Sequence, residues 1–169
     1  MKTSIRFIVA VGIIFCYSFC EAQKVQKWVV TERQNEIKNY KYILEGTVVQ
    51  QTKNGDWMCS VVQISKIYKG SPDIKLGTIK VVMQLLADGE PAMSSGAKYV
   101  IFGRTTNSSI DSGQTVDNSI TLQCIDHIDF QGTGATWGAR QPTEYKTVDS
   151  LYSYFKQNGL TIQQEAKQK

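Results

Sequence analysis

The chain has 169 residues, 19 Lys or Arg against 15 Asp or Glu, a single His, and 41% apolar residues. That length and apolar content support one globular domain with a real core and exclude a disordered chain. A net charge of +4 carried by scattered lysines excludes a dedicated nucleic-acid surface.

The N-terminus comes first in chain order and fixes where the rest works. Lys2 and Arg6 precede an almost wholly apolar run from Phe7 to Phe19, and Cys20-Glu21-Ala22 puts small residues at the two positions that a signal peptidase inspects. This layout predicts a secretory signal over 1–22, cleaved before Gln23. The apolar run is shorter than the ~20 residues that span a bilayer, so no integral membrane segment is expected after cleavage. The mature chain is expected to be secreted or periplasmic, with 17 basic and 14 acidic residues, a charge of +3. Acylation at Cys20 is the competing reading, but Tyr17-Ser18-Phe19 lacks the small residues that lipoprotein signals place before their cysteine. Cys16 and Cys20 leave with the signal, while Cys59 and Cys124 remain. An even pair in an oxidising compartment points to a Cys59–Cys124 disulfide; the alternative is two buried thiols packed as small apolar groups.

Residues 23–41 form a polar segment with a small apolar island at Trp28, Val29 and Val30, and Thr31 can cap a short helix from Glu32 to Tyr40. From Tyr42 the texture becomes that of strands. Tyr42 to Gln50 alternates Leu44 and Val48 against Glu45 and Thr47, as in a half-buried strand. Turn residues fill Thr52 to Asp56. Trp57 to Tyr68 reads as a long strand bent near Gln63, where its alternation slips. Thr78 to Leu86 places Ile79, Val81, Met83 and Leu85 on one face. Residues 87–96 form a loop, and Lys98 to Gly103 is apolar on both faces, as in a central strand. Residues 105–118 read as a polar loop, with a hairpin signal at Asp111-Ser112-Gly113, followed by a fifth strand from Ser119 to Ile128. Gly132, Gly134, Gly138 and Pro142 predict an irregular excursion over 131–146. Thr147 then caps a helix with Val148, Leu151, Tyr152 and Phe155 on one face, stopped at Asn158-Gly159. Residues 161–169 are expected to be a flexible polar tail.

Five strands without crossover helices, then one helix, predict a β-rich fold: an antiparallel five-stranded barrel over 42–160 with the C-terminal helix packed on it. Gly46 inside the first strand suits a point where a small barrel bends sharply.

Three segments occur in a distinctive order: Leu44-Glu45-Gly46-Thr47-Val48-Val49, Ile64-Ser65-Lys66-Ile67-Tyr68-Lys69-Gly70 and Gly96-Ala97-Lys98-Tyr99-Val100-Ile101-Phe102-Gly103. Together they resemble the netrin-like domain shared by tissue inhibitors of metalloproteinases and by bacterial exported relatives. The resemblance implies an OB-type barrel. In those inhibitors the mature chain begins with a cysteine whose amine and carbonyl grip the protease zinc. Here Gln23 would stand first and the next cysteine is Cys59, so inhibition by that route is disfavoured.

No catalytic constellation stands out: there is no nucleophile elbow, phosphate-cradling loop or dinucleotide fingerprint. Asp126-His127-x-Asp129 has metal-ligand residue types, but Asp126 and His127 point to opposite faces of a strand, so no metal or other cofactor is expected. Asp56, Asp88 and Glu90 are loop carboxylates whose convergence would make a hydrolase, the alternative function. The leading expectation is a non-catalytic binding domain for an extracellular or periplasmic protein or glycan. Trp28, Trp137 and Tyr145 are its candidate contacts, with Trp137 either exposed to a partner or plugging the barrel end.

Overall fold

The computed structural model describes residues 33–85, 92–106, 113–138 and 143–167. The expected signal, Trp28, the Thr31 cap, Asp88, Glu90 and the Asp111-Ser112 part of the expected hairpin lie outside them. Packing divides the chain into residues 1–36 and residues 37–169. Residues 33–39 are helical (α1), and Arg33 and Glu36 form an i,i+3 ion pair at 3.2 Å. The larger unit contains β1 (Tyr42–Asn54), β2 (Trp57–Lys69), β3 (Thr78–Gln84), β4 (Lys98–Thr105), β5 (Thr121–Gln131), β6 (Gly134–Trp137), β7 (Thr143–Tyr145), α2 (Val148–Gln157) and β8 (Gln164–Glu165).

The strands run in the order β3-β2-β1-β4-β5-β6-β7, and a parallel pairing of β3 with β5 closes the first five into a ring. This is the expected barrel with one parallel seam. Leu44, Val48, Val62, Ile64, Ile79, Val81, Ile101 and Leu122 fill its interior. A second core lies outside the ring, where Ile43, Val100, Phe102, Ile128 and Trp137 meet Leu151 and Phe155 of α2. These two cores explain why β4 is apolar on both faces: Tyr99 and Ile101 serve the first, Val100 and Phe102 the second.

The β1–β2 ladder carries three irregularities. Its register leaves Tyr68 and Ser65 as extra residues on β2 and Val49 as the extra residue on β1. Gly46 sits beside one of these bulges, where an added Cβ would lie 2.5 Å from the Gln63 carbonyl oxygen and 2.7 Å from Val62. The strand can make this approach only without a side chain. The bulges bend β1 and β2 enough for the ring to close, and they rotate side chains out of simple alternation.

Three regions depart from the sequence reading. The expected turn at Thr52–Asp56 contracts to Gly55-Asp56, with Gly55 at φ +59°, because the ladder continues to the pair Asn54–Trp57. The expected irregular excursion contains β6 and β7: Gly132 (φ +57°) makes a two-residue turn that lays Gly134–Trp137 against β5. The polar tail is not frayed at its start, since β8 pairs with Lys66 and Ile67 of β2.

The α2 boundaries follow the sequence. The Thr147 hydroxyl accepts the Ser150 amide, and Asn158 closes the other end. Gly159 N–H donates to Lys156 and Leu160 N–H to Phe155, the paired bonds of a Schellman stop, with Leu160 buried against the helix.

Candidate functional site

The densest polar constellation centres on Glu45, which has no exposed surface. β1 points Glu45 outward from the barrel along with Ile43, on the face that α2 covers. The bulges at Ser65 and Tyr68 turn both side chains toward it. Tyr68 donates to Glu45 Oε2 at 2.7 Å, and Tyr152 of α2 donates to the same oxygen at 3.0 Å. Ser65 donates to the Glu45 carbonyl at 3.1 Å. On Oε1, Lys98 Nζ lies at 2.7 Å and Lys66 Nζ at 3.6 Å. Lys66 also donates to Tyr152 Oη at 3.0 Å and approaches Glu165 of β8 at 3.5 Å. Lys98 is 41% exposed and lies 4.9 Å from the Phe130 ring centroid.

Burial opposes ionisation of Glu45, but hydrogen bonds from Lys98 and Tyr68 and the charges of Lys98 and Lys66 outweigh it and hold the carboxyl below its ordinary range. Burial and the neighbouring carboxylate push the Tyr68 hydroxyl far above its ordinary value, so it remains a donor. Burial works against the Lys66 ammonium, yet the bond to Tyr152 and the charge of Glu45 raise its pKa. The result is a carboxylate, two ammonium groups and two phenols fixed between β1, β2, β4 and α2. Both carboxylate oxygens of Glu45 are occupied from within the protein, so the arrangement is suited to scaffolding. The alternation of β1 predicts a solvent-facing Glu45, and α2 covers that face instead. A signal was present nonetheless: the three segments that carry the netrin-like resemblance each supply members of the cluster, Glu45 from the first, Ser65, Lys66 and Tyr68 from the second, and Lys98 from the third.

The residues singled out from sequence do not converge. Trp137 is fully buried: its ring stacks on Phe102 at 4.7 Å, meets Phe155 edge-on at 6.2 Å, and its indole N–H donates to Asp126 at 2.8 Å. Of the two expectations, the exposed partner contact is corrected: the ring is buried, in the core between the sheet and α2 rather than in the barrel end. Tyr145 is half-buried on β7, 5.9 Å from the Tyr154 ring. It borders an open groove of about 290 Å³ with Gln131, Thr136, Glu144 and Lys146.

The expected Cys59–Cys124 bridge is not formed; both cysteines are free thiols. Cys59 pairs with Val82 of β3, and Val82 pairs in turn with Gln123 of β5, so a whole strand separates the two. Burial, with Asp126 nearby, raises the Cys124 thiol well above its ordinary value.

Asp126 and His127 do not join in a metal site. Asp126 accepts from the His127 amide and the Trp137 indole, while the His127 ring packs on Tyr99 at 5.6 Å. Burial holds the imidazole below its ordinary pKa. Among the described residues no group of three or more His, Cys, Asp or Glu is placed to hold an ion. Asp56 is exposed in the β1–β2 turn. Among the described residues no helix is long and apolar enough to cross a membrane.

A family model described as NTR, the UNC-6/NTR/C345C module, matches residues 34–124. That span contains β1 to β4, the start of β5, and every member of the Glu45 cluster except Tyr152 and Glu165. No curated protein matches the chain significantly.

Proposed function

The chain belongs to the NTR (UNC-6/NTR/C345C) module family, and on that premise we propose that it is an exported, non-catalytic domain that binds a protein partner. Modules of this family are binding and inhibitor-type domains, generally extracellular. The observation that carries the reading is the closure of the Glu45 cluster. The most strongly organised carboxylate in the described structure has both oxygens committed to Lys98, Lys66, Tyr68 and Tyr152, so its chemistry is spent on the scaffold. Recognition is then left to edges and loops, where rigid β scaffolds carry it. The signal-like residues 1–22 support export with cleavage before Gln23. Inhibition through an N-terminal cysteine is no part of the reading, because Gln23 would head the mature chain.

The test is capture by chemical cross-linking in the native extracellular or periplasmic fluid, run beside hydrolysis assays on ester, peptide and glycoside substrates. The expected outcome is a defined protein adduct, weakened by Tyr145→Ser in the β6–β7 groove, and no turnover. Turnover abolished by Asp56→Asn would establish the hydrolase instead. An adduct lost on deglycosylating the partner would assign the contact to a glycan.

A further inference from the structure

β2 has two edges along its length. One pairs with β1 throughout. On the other, β3 covers only Trp57 to Gln63, and beyond that point the edge is completed at Lys66 and Ile67 by β8. The tail is held there by its backbone: Gln163 N–H donates to the Ile67 carbonyl at 2.7 Å and Ala166 N–H to the Ser65 carbonyl at 2.8 Å. Residues 161–167 are all exposed, including Ile162 at 46%. The tail therefore seals a strand edge almost without burying side chains.

Its one distinctive side-chain contact is Glu165 with Lys66 at 3.5 Å. Lys66 is otherwise drawn inward, its ammonium shared between Glu45 and Tyr152, and its side chain is only 15% exposed. Within the cluster two ammonium groups, Lys66 and Lys98, face the single carboxylate of Glu45, and Glu165 brings the second negative charge. Whatever covers this edge meets a half-buried cation with one countercharge too few.

We propose that the Ser65–Ile67 edge of β2 is a strand-docking site whose resident ligand is the chain's own tail, and that it accepts in trans an extended segment of a partner protein with a carboxylate opposite Lys66. This rests on the binding-module reading and adds to the β6–β7 groove a second contact, with a partner chemistry. Main-chain pairing supplies the affinity with little demand on sequence, and the carboxylate supplies the selectivity. Because the tail is held by few bonds and hides little surface, a competing strand can displace it.

The experiment uses the full chain and the variant Gln163→Pro/Ala166→Pro, which removes the N–H donors at Gln163 and Ala166. The probe is a fluorescent peptide of residues 160–167, with anisotropy as the readout. The unlatched variant should bind it at least roughly tenfold more tightly than the native chain, whose tethered tail competes at high effective concentration. The same peptide with Glu165→Lys should lose about fivefold or more, and with Ala166→Pro should not bind. No binding to the unlatched variant, equal binding by both chains, or indifference to the Glu165 change overturns the proposal. Should the double variant fail to fold by circular dichroism, amide exchange on the native chain decides. Gln163 and Ala166 amides should exchange far faster than the β1–β4 ladder, and equal protection overturns displaceability. A concentration-dependent dimer of the native chain that disappears with Ala166→Pro would assign the edge to a second copy and overturn the partner assignment. Peptide binding is read without the native partner. Its failure beside a successful cross-link removes only this edge, and its success beside a failed cross-link removes only the module reading.

Discussion

Glu45 stands between Leu44 and Gly46 in a stretch whose alternation marks it as solvent-facing, yet it has no exposed surface. Alternation records which face of a strand points away from the barrel interior; it does not record that α2 later covers that face. Burying a charge is tolerable only with partners, and the cost of removing one side exceeds the net worth of the set. Glu45→Ala should therefore destabilise the fold by about 3–5 kcal/mol in urea titration, because Lys66, Tyr68 and Tyr152 lose their acceptor. Replacing the polar set together (Glu45→Leu, Lys66→Met, Tyr68→Phe, Lys98→Met, Tyr152→Phe) should cost far less, because no hydroxyl or ammonium is then left without its acceptor; a combined variant worse than Glu45→Ala would mean the network is a net stabiliser. The pH dependence follows from the same carboxylate. Its folded pKa lies below the unfolded one, so its contribution is complete above the ordinary glutamate range of roughly pH 4–5 and falls away as pH drops through the folded value. Glu45→Gln should flatten the acid limb of stability against pH. A residual slope of the same sign is expected from Asp117, which bonds from the Thr78 amide and hydroxyl hold low. Trp137 is the converse case. Its glycine-rich neighbours left it open between a plug and an exposed contact, and the structure makes it the centre of an aromatic cluster. Trp137→Phe should cost about 1–3 kcal/mol through the lost indole bond to Asp126, and Trp137→Ala about 3–5 kcal/mol. Equal stability of all three proteins would put the ring outside the core.

At the level of elements, the strands with clean period-two patterns and the helix with a full apolar stripe were legible, because local pattern and tertiary burial agree there. β3 buries Ile79, Val81 and Met83 together, and α2 buries Leu151 and Phe155 as its spacing requires. β6 and β8 were not legible. β6 is four residues long with a glycine at its start, and β8 is two residues long and wholly exposed, so neither has a pattern to read; each exists because an edge of the sheet needs a partner. The helix is a sensitive place to test the packing. Leu151 is fully buried between sheet and helix, so Leu151→Asp should lower stability by several kcal/mol by forcing an unpaired charge into apolar surroundings. A thermal melt unchanged by that substitution would mean α2 is not docked. Gly46→Ala tests the bulge that aims Ser65 at Glu45. A methyl group 2.5 Å from the Gln63 carbonyl has no flexible neighbour on that side, so β1 and β2 must separate, and the loss should exceed the roughly 1 kcal/mol usual for exposed glycine changes.

For the whole molecule, the organisation into two cores decides the fate of the cysteines. With the expected signal set aside an even pair is left, and counting alone favours a bridge. Topology overrides the count, because ring closure places β3 between the strands that carry Cys59 and Cys124. Two strand spacings of ~4.8 Å put their backbones about 9–10 Å apart, beyond the reach of a disulfide, whose Cα atoms lie within about 7 Å. Each thiol is also engaged where it stands, Cys59 with Gln114 at 3.7 Å and Cys124 with the Asp126 carbonyl at 3.4 Å. Burial keeps the Cys124 thiol protonated and slow to react. An oxidising compartment by itself does not bring the two sulfurs together, so export and free thiols are compatible here. The mature chain, denatured without reductant and treated with iodoacetamide, should gain two alkyl groups, at Cys59 and Cys124, and the native chain should gain them much more slowly. Uptake only after reduction would show an intramolecular bridge. Since that bridge cannot form with β3 paired to β5, it would require opening of the parallel seam, and the ring closure itself would have to be given up.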